Sequence, residues 1–235
     1  MNYYITIEKK LDNFEQYKQL WLMRGISGIR ADSMTEGIEK AVEIEASKTN
    51  NLYFIAIVAD DIVFLPQLSI LREQIYAPIF IATSKPDAVE RMEALNKGAN
   101  YYGEYCETPE LNIETVVSKI RSIEMSCKKP SVKRPPLILC RGVLLSPSRR
   151  VVFIKDKKIK LVGKEFAILQ YLMSNSGQFL THTQILRRVW GNEYNDSGSG
   201  ILYQTINRIR NALSDVSPDN EYIAMEREIG YKFLD

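Results

Sequence analysis

The sequence predicts an α/β protein of two unlike parts: a (βα)5 parallel-sheet domain, then a smaller domain of short strands, three helices and a terminal hairpin. Two observations carry this. Across residues 3–125, short β-branched and aromatic runs alternate five times with apolar residues at helical spacing, the order that builds a parallel sheet. Across residues 161–232, two capped apolar-periodic helices precede a third with a polar outer face, and two short strands follow. Between them, residues 127–136 hold four basic residues and three prolines, a composition that resists both helix and sheet and reads as a linker. The expected domains are therefore 1–126 and 137–235, joined by 127–136.

In the first domain the expected strands are 3–7, 28–31, 52–59, 79–83 and 101–105, each a run suited to a sheet buried on both faces. The intervening segments 13–23, 34–48, 65–74, 87–97 and 109–125 have helical spacing. In the second domain, 137–140, 143–145, 151–154 and 159–161 are expected to be four short strands separated by turns. Residues 164–175 form a helix with Phe166, Leu169, Leu172 and Met173 inward, stopped by a left-handed cap at Asn175-Ser176-Gly177. Thr181 and Gln184 stand in capping-box spacing ahead of Ile185, Leu186, Val189 and Trp190, and Gly191 ends that helix.

The third helix, 201–213, places Leu202, Ile206, Ile209 and Leu213 on one stripe. Gln204, Asn207, Arg208 and Asn211 centre the opposite face, flanked by Tyr203, Arg210 and Thr205, and none of these is acidic. Asn and Gln can pair with adenine and Arg with the guanine O6/N7 edge, while Thr and Tyr can bond phosphate. Any amphipathic helix shows a polar outer face, so taken alone this face is more often an ordinary solvated one. Its setting decides: strands 222–225 and 229–233 flank Glu226-Arg227-Glu228 and place Arg227 near a hairpin tip. Helix, helix, recognition helix and wing make a winged helix-turn-helix, a reader of double-stranded DNA.

Leu161, Glu165-Phe166, Leu169, Leu172, Gly177, Leu180-Thr181, Gln184-Ile185-Leu186, Val189-Trp190, Ile206, Arg208-Ile209-Arg210, Leu213 and Arg227-Glu228-Ile229-Gly230-Tyr231 resemble the effector domain of OmpR/PhoB-type response regulators. The resemblance implies a receiver-like first domain, homodimer pairing through the face of its fourth helix, fifth strand and fifth helix, and contact with RNA polymerase through 192–200. Three residues depart from the family: Val162 replaces a capping Thr, Glu226 an apolar residue, and Glu228 the wing glycine.

The resemblance is weaker in the first domain, clearest at 78–83 and 96–102. A working receiver needs paired acids to hold Mg²⁺, an acceptor aspartate after the third strand, and a lysine after the fifth. Here Glu8 is followed by Lys9 and Lys10, Asp60 or Asp61 stands at the acceptor place, Thr83 matches the switch hydroxyl, and Tyr105-Cys106 replaces the Lys-Pro pair. The expectation is an atypical receiver in a transcription regulator that works without aspartyl phosphate, with no cofactor. The alternative is a conventional two-component regulator phosphorylated at Asp60, which alone would need Mg²⁺.

Charge divides as the domains do: residues 1–130 carry 15 basic and 19 acidic groups, residues 131–235 carry 16 and 10. The basic half suits phosphate contact. No apolar run is long enough to span a membrane and no signal peptide opens the chain, so a cytoplasmic protein without membrane partner is expected. Cys106, Cys127 and Cys140 match no zinc spacing and His182 has no ligand partner, so no metal site is expected. Lys128 and Lys129 beside Cys127 would favour its thiolate, making it the candidate redox residue, although an idle cytosolic thiol is the commoner case. Enzymatic activity is not expected, because no Gly-rich phosphate loop or Gly-x-Ser-x-Gly elbow is present.

Overall fold

The computed structural model describes residues 1–8, 14–47, 49–60, 63–104, 109–126, 136–191 and 199–235, with only the backbone for 109–111, 124–126 and 199. These divide into two compact units, Met1–Pro135 and Pro136–Asp235. Asp61, Tyr105, Cys106, Cys127, nearly all of the expected linker and most of the 192–200 loop lie outside the described residues.

In the first unit, β1 (Asn2–Glu8), β2 (Ile26–Ala31), β3 (Asn51–Val58), β4 (Ile79–Thr83) and β5 (Tyr101–Glu104) pair in parallel in the order β2-β1-β3-β4-β5. This is a doubly wound order, with its switch point between β1 and β3. Helices α1 (Phe14–Leu22), α2 (Met34–Ala46), α3 (Leu65–Gln74), α4 (Ala88–Asn96) and α5 (Pro109–Ser126) alternate with the strands. Because strand side chains alternate, Ile5 and Ile7 face one side and Tyr4, Thr6 and Glu8 the other. On the first side α2 approaches so closely that a Cβ on Gly37 would lie 2.4 Å from Ile7 Cδ1. On the second, Tyr4, Phe54 and Phe80 meet Phe14 and Trp21 of α1 and Ile113 and Ile120 of α5. Tyr4 stacks on Phe54 with centroids 5.1 Å apart, and Trp21 tilts onto Phe54 at 4.9 Å. Each buried ring of this kind contributes about 1.5–3 kcal/mol before its ordering entropy.

The turn before β5 depends on Arg72 of α3, which donates to the Gly98 carbonyl at 2.9 Å, the Ala77 carbonyl at 3.1 Å and Asn100 Oδ1 at 2.9 Å. Gly98 has φ +106, and a Cβ there would lie 2.6 Å from Arg72 Cγ. The Lys97-Gly98-Ala99 turn thus needs glycine both for its backbone and for its closeness to Arg72.

The second unit opens with an antiparallel sheet of β6 (Ile138–Cys140), β7 (Val143–Ser146), β8 (Val151–Ile154) and β9 (Lys157–Ile159), in sequence order. The last strand lies two residues earlier than the expected 159–161, because Ile154 pairs Lys157 and Lys155 turns the chain at φ 53. Next come α6 (Gly163–Met173), α7 (His182–Trp190), α8 (Ser199–Ser214) and the hairpin β10 (Ile223–Glu226) and β11 (Gly230–Phe233). Phe166, Leu169, Leu172, Ile185, Leu186, Leu202, Ile206, Ile209 and Leu213 share one core with Ile223, Tyr231 and Phe233.

The caps differ in quality. At α7, Thr181 Oγ1 accepts from the Gln184 amide at 3.2 Å and Gln184 Oε1 from the Thr181 amide at 2.8 Å, a complete capping box. At α6 only the return bond exists, from the Val162 amide to Glu165 at 2.9 Å. Valine has no oxygen to accept the forward bond, so that amide loses about 1 kcal/mol of capping.

Candidate nucleic-acid interface

Helix α8 is seated by its apolar stripe: Leu202, Ile206, Ile209 and Leu213 are all buried. Tyr203, Gln204, Arg208 and Asn211 are exposed on the other side, and Asn207 is half-buried between them. No acid occurs anywhere in α8. Four donor-bearing side chains thus share an exposed face on a rigid helix, a geometry able to meet base edges and phosphates.

Two residues expected on that face are turned away from it. Thr205 is 7% exposed, and its hydroxyl donates to the Ile201 carbonyl one turn back at 2.7 Å. A hydroxyl so committed is not available to phosphate. Arg210 is half-buried and donates from Nε and Nη2 to the Ile223 carbonyl at 3.2 and 2.8 Å. It ties α8 to the wing strand β10.

Arg227 is exposed in the turn between β10 and β11. Glu228, beside it, has φ 68, the left-handed region where the resembled family has glycine. Gly230 has φ +146, and a Cβ there would lie 2.0 Å from the Leu180 carbonyl oxygen. That closeness allows the paired bonds Leu180 N to Tyr231 O at 2.8 Å and Tyr231 N to Leu180 O at 3.0 Å, which fix the wing to the start of α7. His182 is also less superficial than a helix-start surface residue: its ring is half-buried, 5.3 Å from that of Tyr231.

Arg187 and Arg188, exposed in the last turn of α7, were not singled out from sequence. The helix before a recognition helix crosses the DNA backbone in this motif, so a basic last turn there was the available signal.

Among the described residues, Glu8, Asp60 and Thr83 differ in surroundings. Glu8 is 3% exposed on the α1 and α5 side of the sheet. Burial raises its pKa above the ordinary carboxylate value, opposed by Arg30 and by the Phe14 amide. Asp60 Oδ1 accepts from the Ser84 amide at 3.0 Å and its hydroxyl at 2.8 Å. Thr83 is buried, with its Oγ1 accepting from the Lys85 amide at 3.3 Å. Asp60 thus braces the end of β4, while Glu8 points into the domain. Among the described residues no three acid, histidine or cysteine side chains stand close enough to hold a metal ion, and no helix is long and apolar enough to cross a membrane. Cys140 is half-buried with Sγ 3.5 Å from the Leu234 carbonyl.

Residues 156–233 match the family model for the C-terminal domain of transcriptional regulatory proteins. The chain is 28% identical over 137 residues to the transcriptional regulatory protein CutR of Streptomyces coelicolor, covering 58% of this chain and 59% of that protein. It is 27% identical over 164 residues to the sensory transduction protein RegX3 of Mycolicibacterium smegmatis, covering 69% and 70%. A structure described as one of a novel family of redox sensors in the streptococci, evolved from two-component response regulators, aligns over 99% of both chains at 19% identity and a TM-score of 0.44. Residues 156–233 are therefore a C-terminal domain of the transcriptional regulatory protein family.

Proposed function

We propose that this protein is a sequence-specific DNA-binding transcription regulator that acts as a homodimer without aspartyl phosphorylation. The observation that carries the reading is the acid-free exposed face of α8, with Tyr203, Gln204, Arg208 and Asn211 outward and Asn207 between them. Arg208 and the amides supply base-edge chemistry, while Arg187, Arg188 and Arg227 supply phosphate contacts at either side. Asp60 makes the phosphorylated alternative the weaker one: its carboxylate accepts two hydrogen bonds from Ser84, and Glu8 is buried on the α1 and α5 side of the sheet.

Pairing would use α4, β5 and α5, and RNA polymerase is the partner that the resemblance implies for the 192–200 loop. Two linked winged helices would read half-sites about one helical turn, roughly 10 base pairs, apart.

The test is selection of bound DNA from a random pool by the full-length protein, untreated with any phosphodonor. The expected product is a repeated half-site at that spacing. Selection of a single half-site would remove the dimer, and recovery of repeats only after treatment with phosphodonor and Mg²⁺, with a mass adduct lost in Asp60→Asn, would establish the alternative.

A further inference from the structure

The receiver-like unit contains a cavity of about 110 Å³ between its sheet and helices α1 and α5. Its walls include the rings of Phe14, Trp21, Phe54 and Phe80. Tyr4 and Glu8 line it from β1 and are 1% and 3% exposed. Neither the Tyr4 hydroxyl nor Glu8 Oε1 has a hydrogen-bond partner among the described residues.

A buried polar atom without a partner costs about 1–3 kcal/mol, so folded proteins rarely keep two on one wall. Here both face the same space. An apolar void of roughly 150 Å³ takes up benzene, so this cavity has the scale of a single six-membered ring. Besides its tyrosine phenols, the ionisable groups that line it are Glu8, Glu104 and Lys119. The Lys119 ammonium lies 4.3 Å from the Tyr101 ring centroid and is engaged there, and Arg30, which acts electrostatically on Glu8, does not line the cavity. Glu104 is exposed and marks where the cavity reaches solvent.

We propose that this cavity binds a small one-ring aromatic molecule carrying a protonated nitrogen, the ring among the aromatic walls and its N–H donating to Glu8 Oε1. The Tyr4 hydroxyl supplies a second polar contact, and burial keeps that phenol protonated. An amine bound this way satisfies Glu8 Oε1, the carboxylate oxygen that has no partner among the described residues. The site lies wholly within the first unit, so it stands independently of the DNA-reading role, and its test contains no DNA.

Benzylamine is the probe, with benzyl alcohol and benzoate as its neutral and anionic near-isosteres, each titrated calorimetrically into the full-length protein at neutral pH. Benzylamine is expected to bind saturably at one site per chain, more tightly than benzyl alcohol, and benzoate not at all. Glu8→Gln keeps the shape and removes the charge. It is expected to weaken benzylamine at least tenfold and to change benzyl alcohol less than twofold, with circular dichroism verifying the fold. Absence of saturable benzylamine binding would overturn the proposal and leave a hydrated void. Equal affinity in wild type and Glu8→Gln would overturn it too.

Discussion

Arg210 on α8 donates two hydrogen bonds to one acceptor, the Ile223 carbonyl at the start of the wing, at 3.2 and 2.8 Å. Its neighbour Arg208, two positions earlier, is exposed. The two arginines should therefore fail differently. Arg210→Ala removes a charge-assisted bond and strands a carbonyl, so unfolding in urea should show a loss of about 1–3 kcal/mol. Arg208→Ala should leave the urea midpoint unchanged, weaken DNA binding by a base-specific 1–3 kcal/mol or so, and relax selection at one position of the half-site. Equal stability losses in both variants would contradict this division.

The wing offers an opposed pair. Gly230→Ala would drive a Cβ to 2.0 Å from the Leu180 carbonyl, a backbone contact that no side chain can relieve. It should cost about 4 kcal/mol, among the largest effects of single substitutions. Glu228 sits at φ 68 without being glycine. Glu228→Gly should raise stability by about 0.5–1 kcal/mol, since left-handed backbone is strained for most residues. The same change removes an acid beside Arg227, so DNA affinity in a gel-shift titration should rise severalfold at low salt and less at high salt.

Local chemistry explains which parts were legible in the sequence. Helix α7 carries its own instructions, Thr181 and Gln184 at its start and Gly191 at its end, and they act within a few residues of one another. The stripe of α8 was equally plain, because periodicity alone identifies Leu202, Ile206, Ile209 and Leu213. The engagement of Thr205 and Arg210 within the fold was not legible for a different reason. A helical projection gives direction but not neighbours, and the position of Arg210 is decided by a strand thirteen residues further on. The cavity was hidden in the same way: alternation puts Tyr4, Thr6 and Glu8 on one face, but no pattern in β1 tells that the opposing helices leave space there.

Glu8 should imprint itself on the pH dependence of stability. Burial raises its pKa from the ordinary 4.5, so the folded chain holds that proton more tightly than the unfolded one. Below the unfolded value both states are protonated and Glu8 costs no ionisation penalty. As pH rises, the unfolded state ionises first, and stability falls until the folded pKa is passed. Glu8→Gln lacks this penalty. Its stability relative to wild type should therefore increase from about pH 4.5 upward and then level off. Urea unfolding of both proteins from pH 4 to 8 checks this, and a flat difference across the range would mean that Glu8 is solvated as in the unfolded chain.

If α4, β5 and α5 form the proposed pairing face, that face should respond to a single charge. On α4, Glu90 is turned inward to accept from the Tyr102 hydroxyl at 2.5 Å, and Ala94 is buried. That orientation leaves Val89, Met92 and Leu95 outward, at 66%, 60% and 43% exposure. An apolar row at spacings of three is one ridge of a helix, and solvent is a poor partner for it. A second copy would bury it against its own equivalent in a two-fold arrangement. Met92→Lys then places two ammonium groups near one another across the symmetry axis, and the dimer dissociation constant measured by sedimentation should rise at least tenfold. The urea midpoint of the monomer should not move, because Met92 has little packing to lose. DNA selection with this variant should return single half-sites where the parent returns repeats, since the α8 face is untouched and only the linkage between two readers is lost. An unchanged dissociation constant would take α4 out of the pairing face.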